Sequence, residues 1–181
     1  MGTYAMSATG GAPRLPDGRL DRPPECPLLE EVTGADFDFE ATLTRESTSS
    51  RAWVTLNGYS REGTFDGQVV TNEASASRVF VDCGKCSTRV VETITVALLS
   101  RSQFEAAGNQ CPPDALDGGV AAPNPDAGIS GPGPTGQGFD TVRLCGELST
   151  LVVSDGLGDG GACEAKCSGC AVRYQLRGDR R

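Results

Sequence analysis

Residues 77–100 read SRVFVDCGKCSTRVVETITVALLS, and the reading of the fold turns on this stretch. Two runs rich in Val, Ile and Thr flank Cys83-Gly84-Lys85-Cys86. β-Branched side chains suit a pleated, half-buried strand, and Gly, Ser and Asp between them supply turn chemistry. The pattern predicts strands at 77–82 and 88–99 that meet at a Cys-x-x-Cys corner. A second group, Cys163-x3-Cys167-x2-Cys170, echoes the first, with AKCSGCAVRY set against GKCSTRVV.

The same period continues outward from this centre. Phe37, Phe39, Ala41 and Leu43 alternate with Asp38, Glu40 and Thr42, as in a strand with one buried face. Residues 51–57 (RAWVTLN) predict another strand, closed by the turn pair Asn57-Gly58. Residues 64–71 predict a weaker one, interrupted by Asp66-Gly67, which also reads as a hairpin turn. Further strands are expected at 139–145, 148–154 and 171–176. Ser102-Gln103-Phe104-Glu105 has capping-box spacing and Gly108 can end a helix, so one short helix is expected over 103–107. Seven or eight short strands with turn signals between them predict an all-β, antiparallel β-sandwich of Ig-like architecture.

Two segments fall outside that pattern. Residues 1–35 carry Gly11, Pro13, Pro16, Gly18, Pro23, Pro24 and Pro27 among scattered charges. Such a segment buries little apolar surface to offset its ordering entropy, so a disordered leader is expected, pinned at its end by Cys26. Residues 111–138 are rich in Pro and Gly without an aromatic, and predict a low-complexity loop inserted between strands. The organisation expected is therefore a leader (1–35), one disulfide-stabilised β-domain (36–176) and a basic tail (177–181).

Charge and composition exclude several functions. With 16 basic and 24 acidic residues the net charge is −8, which disfavours nucleic acid and anionic membranes. Apolar runs of the length needed for a membrane span are missing, although a lipid anchor in the full gene product stays open. The chain has no histidine, so it lacks the usual general base near neutral pH and the commonest zinc ligand.

The eight cysteines, Cys26, Cys83, Cys86, Cys111, Cys145, Cys163, Cys167 and Cys170, admit three readings. An even count in a strand-rich chain suits structural disulfides of open connectivity. In that reading Cys111 bonded to Cys145 would staple the inserted loop at its base, and Cys83 or Cys86 would bridge to the C-terminal group. Alternatively, Cys83, Cys86, Cys167 and Cys170 form two Cys-x-x-Cys knuckles that suit a tetrahedral zinc ion, though they lie far apart for a zinc ribbon. Thirdly, Cys-Gly-Lys-Cys has the spacing of a redox dithiol, but no helix follows to lower the thiol pKa.

The remaining motifs are weak. Arg177-Gly178-Asp179 is a tripeptide that integrin ligands present, set in a tail with Arg173, Arg180 and Arg181. Asp155 to Gly160 has only two of the oxygen positions of a calcium loop. Glu30, Glu31, Asp36, Asp38 and Glu40 supply carboxylates, but no sequence signal pairs two of them as acid and base.

The expectation is thus a non-catalytic β-domain, exported or at the cell surface, with a binding or structural role and no cofactor. Its partner would be a protein or cell-surface component, met through aromatics such as Trp53, Tyr59 or Phe104. The location would be extracellular, periplasmic or at the cell surface. The opening 1–11 lacks the basic and apolar regions of a signal peptide, so this expectation takes the chain as a mature form with a new start methionine. Richness in Gly, Ala, Pro and Arg suits a GC-rich bacterial coding sequence. The alternative is an intracellular zinc-binding adaptor.

Overall fold

A computed structural model describes residues 2–11, 36–46, 48–80, 83, 86–112, 115–116, 141–154, 167 and 170–181. Its strands are β1 (Gly2–Gly11), β2 (Phe37–Arg45), β3 (Arg51–Leu56), β4 (Tyr59–Phe65), β5 (Val69–Ser77), β6 (Thr88–Ser100), β7 (Thr141–Ser154) and β8 (Cys170–Arg180). One helix, α1 (Arg101–Ala106), follows β6. Every strand pairs antiparallel with its neighbours in sequence, and β1 also pairs with β8. The sheet therefore closes into an up-and-down barrel.

This corrects the sandwich. The strand that closes the barrel lies within the expected leader: Tyr4 to Gly11 face Arg180 to Arg173 of β8, and Gly2 to Ala8 face Leu43 to Phe37 of β2. Tyr4, Met6 and Ala8 alternate inward and are buried, while Thr3, Ala5 and Ser7 lie between them. With this strand in place the sheet has no terminal edge, so it does not need a second sheet to cover one face. Residues 12–35, with Cys26, lie outside the described residues. So does most of the 111–138 insertion. The expected tail is part of β8, whose last residue is Arg180.

Local chemistry places the turns. Asn57 and Gly58 have φ values of 49° and 84°, the left-handed pair of a two-residue hairpin between β3 and β4. The Asp66 carboxylate accepts from the backbone N–H of Gln68 (2.9 Å) and Val69 (2.7 Å), which makes Asp66-Gly67 a hairpin turn and divides the expected strand at 64–71. The expected strand at 77–82 is absent from 78–80, while 81–82 are outside the described residues. The helix starts two residues early because Ser100, not Ser102, caps it: its hydroxyl accepts from the Gln103 N–H, and the Gln103 side chain accepts from the Ser100 N–H.

The expected strands at 139–145 and 148–154 are one strand, β7, which runs through Gly146 without a break. A Cβ at Gly146 would run into the carbonyl oxygen of Thr95 and the Cα of Val96 on β6. Glycine here permits close approach in a tightly coiled sheet and is not a turn signal.

Among the described residues, the middle of the barrel interior is filled. Leu43, Val54, Val70, Val96, Leu144 and Leu176 pack with Tyr4, Met6 and Tyr174 in one continuous core. The void among Met6, Phe39, Leu43, Ile94 and their neighbours measures about 10 Å³, too small and too apolar to hold a bound molecule. Eight strands enclose about this much space, and here side chains use it. The exposed outward positions are mostly polar: Asp38, Glu40 and Thr44 on β2, Glu73 and Ser75 on β5, Arg173, Gln175, Arg177 and Asp179 on β8. That pattern is the reverse of a barrel facing lipid. Among the described residues, no helix is long and apolar enough to cross a membrane.

Candidate functional site

One disulfide caps an end of the barrel, and another lies on its outer face near the opposite end. At the end where β5, β6, β7 and β8 converge on their cysteine-bearing loops, Cys83 is bonded to Cys167. With Phe80 and Val152 this bond forms a small buried cluster, flanked by Cys86, Val90 and Val172. Val90 and Val152 face each other across β6 and β7, so the cluster sits on the end of the core like a lid. At the opposite end Cys111 is bonded to Cys145. Val69, Ala97, Leu99 and Ala115 enclose that bond, with Phe104 of α1 against it. This second cluster covers the outer face of the barrel, which explains why Val96, Ala97, Leu98 and Leu99 are all buried in succession.

These bonds correct the alternative cysteine chemistries. Cys83 and Cys167 are joined to each other, so neither is available as the thiolate that zinc requires. Among the described residues no group of three or more His, Cys, Asp or Glu side chains is arranged to hold a metal. Cys83 bonds to Cys167 and not to Cys86, so Cys-Gly-Lys-Cys is not a vicinal redox pair. Cys86 is also disulfide-bonded, and no described cysteine is free. Cys26 and Cys163 lie outside the described residues, as do the side chain of Cys170, the glycine-rich 155–160, and Glu30 and Glu31.

The other sequence candidates are dispersed. Gly178 faces inward against Met6, with Arg177 and Asp179 outward on a paired strand, and Asp179 is held by Arg143 at 2.8 Å. Arg-Gly-Asp is therefore not displayed on a loop. Asp36 accepts from the Gly10 N–H and Glu40 pairs with Arg181, so these carboxylates fasten β1 and the chain end to β2. Trp53 lies under the Arg51 guanidinium and Phe104 under that of Arg143. Tyr59, in contrast, is 77% exposed.

Tyr59 stands beside a feature that sequence reasoning missed. β4 and β5 pair only from Gly63–Phe65 to Val70–Asn72, although β4 begins at Tyr59 and β5 continues to Ser77. Above Gly63 the two strands part, and the barrel wall has an opening. A local cause is at hand. The buried Asn72 side chain donates its amide to the Glu62 carbonyl, the acceptor that the Glu73 N–H would need for the next rung.

The opening has a polar floor. Arg61 and Glu92, on inward-facing positions of β4 and β6, form an ion pair at 2.8 Å across it, with side chains 29% and 38% exposed. Asn72 is 1% exposed, and its Oδ1 has no hydrogen-bond partner. Glu62 is engaged by Arg51 in a two-point pair (2.7 and 2.9 Å), which holds its carboxyl below the ordinary carboxylate range. The arrangement leaves the β4–β5 ladder short and places an orphan acceptor, the Asn72 Oδ1, at its last rung. Comparison with protein-family models, curated proteins and solved structures returns no match.

Proposed function

We propose that the chain is a non-catalytic barrel domain of an oxidising compartment, extracellular, periplasmic or at a cell surface, with a binding or structural role. The observation that carries this reading is the pair of disulfides, Cys83–Cys167 and Cys111–Cys145, one at each end of the barrel. Reducing cytosol does not maintain such bonds, whereas exported domains use them to hold long connections against a modest core. By the loop-entropy account the separations of 34 and 84 residues correspond to about 4 kcal/mol each. A filled interior favours function through the outer surface and the ends of the barrel over a role as a carrier of a lumenal ligand.

Intact mass of the non-reduced chain, with thiol counting and metal analysis of the same sample, tests this reading. The expected result is full oxidation, no reactive thiol and no bound metal. Free thiols in a folded chain, or one zinc per chain, would overturn it.

A further inference from the structure

We infer that the opening between β4 and β5 is a strand-acceptor site, which takes an extended segment of a partner protein carrying a Lys or Arg beside Glu73. This deepens the proposed function and rests on that reading.

The register shows which backbone groups are presented. At one end of β5 Leu98 donates to the Gln68 carbonyl (2.9 Å), and at the other Arg78 donates to the Thr88 carbonyl (3.0 Å). Even-numbered positions of this strand thus bond to β6. Asp66 donates to the Val69 carbonyl (3.2 Å), so odd-numbered positions face β4. By alternation, the N–H and C=O groups of Glu73, Ser75 and Ser77 point into the opening, where no described strand meets them. These three residues are exposed.

Such an edge is normally blunted by Lys, Pro or a bulge, because it templates pairing with another chain. The 74–77 run, Ala-Ser-Ala-Ser, has none of these devices, and its small side chains let a second backbone approach. Two of the exposed large hydrophobic residues flank the mouth: Tyr59 at the first position of β4, and Val79, 85% exposed, just beyond β5. At the base lies the orphan Asn72 Oδ1, an acceptor for an incoming N–H. The exposed carboxylate of Glu73 favours a cation beside it. The net charge of −8 favours the same partner.

A strand of another chain adds here by main-chain hydrogen bonding, with alternate side chains setting specificity. A second copy of this barrel is the weaker occupant, because it brings another −8 of charge.

The test uses the oxidised full chain and a fluorescein-labelled peptide, Lys-Thr-Val-Thr-Val-Thr-Lys. Hydrogen exchange on the isolated chain should find the Glu73, Ser75 and Ser77 amides exchanging at least 10-fold faster than those of Ala74 and Ala76. Peptide binding, read by fluorescence anisotropy, should slow those three amides. Ser75→Pro removes an edge N–H without touching the β6 ladder, and should weaken binding at least 10-fold with an unchanged circular dichroism spectrum. N-methylation of alternate peptide amides should do the same, and Glu73→Lys should weaken binding at least threefold. Three results would overturn the proposal: protected Glu73, Ser75 and Ser77 amides in the isolated chain, peptide binding unaffected by Ser75→Pro, or a dimer that Ser75→Pro dissolves. Each is independent of the thiol count, so the strand-acceptor site can fail while the oxidised, non-catalytic reading stands.

Discussion

The Asn72 amide donates to the Glu62 carbonyl where the Glu73 N–H would otherwise continue the ladder, so one buried side chain ends the pairing of β4 with β5. Asn is depleted in strands because its amide competes with the backbone for partners, and here that competition shapes the wall of the barrel.

Replacing Asn72 should therefore lengthen the ladder. Asn72→Ala removes the competing donor together with the orphan Oδ1, so the net cost should be about 1 kcal/mol. Hydrogen exchange should show the Glu73 amide becoming more protected than in the wild type. An unchanged Glu73 amide would mean that the Asn72 side chain is not what keeps the strands apart.

The inward-facing glycines should rank by what a methyl group meets. At Gly146 it meets backbone atoms of Thr95 and Val96, which cannot yield without breaking the β6–β7 pairing. At Gly178 it meets the Met6 thioether, the flexible end of a side chain. Gly146→Ala should cost about 3 kcal/mol or more, and Gly178→Ala about 1–2 kcal/mol. Urea midpoints of the two variants check the order.

The disulfides should stabilise independently, since they lie at opposite ends of the barrel. Cys111→Ala with Cys145→Ala, and Cys83→Ala with Cys167→Ala, should each lower stability by about 3–4 kcal/mol, with roughly additive effects. Denaturant melts of the paired variants under oxidising conditions measure this.

Alkaline pH should weaken the barrel through Tyr4. Burial pushes its hydroxyl above the ordinary pKa of 10, against an opposing contribution from the nearby Arg180 charge. The folded state thus holds this proton more tightly than the unfolded chain does. Its contribution is intact below about pH 10 and is lost as pH rises through the higher folded value. Tyr4→Phe should flatten the fall in stability above pH 10, followed by thermal melts across that range.

Much of the strand content was legible because burial on one side leaves a period of two. Ala41 and Leu43, and Ala52 and Val54, show it, the run from Val90 to Leu99 stands out by its β-branched residues, and Asn57-Gly58 names its turn. β1 was missed because its outward residues are small and it runs into a glycine- and proline-rich segment, so Tyr4, Met6 and Ala8 did not stand out. β7 was divided because Gly146 reads locally as a break. Cys111 and Cys145 stand out as the two ends of a low-complexity segment, while the choice of Cys83 over Cys86 for bonding to Cys167 is made by how the end of the barrel packs.

By itself the sequence determined that this chain is built of antiparallel strands, carries a net negative charge, and has the cysteines to crosslink them. These are local or additive properties, set by side-chain period, charge and composition. Tertiary structure alone decided that the sheet closes, because closure depends on β1 meeting β8 from the opposite end of the chain. It also decided where the wall opens, because the reach of Asn72 to the Glu62 carbonyl exists only once β4 and β5 share a register.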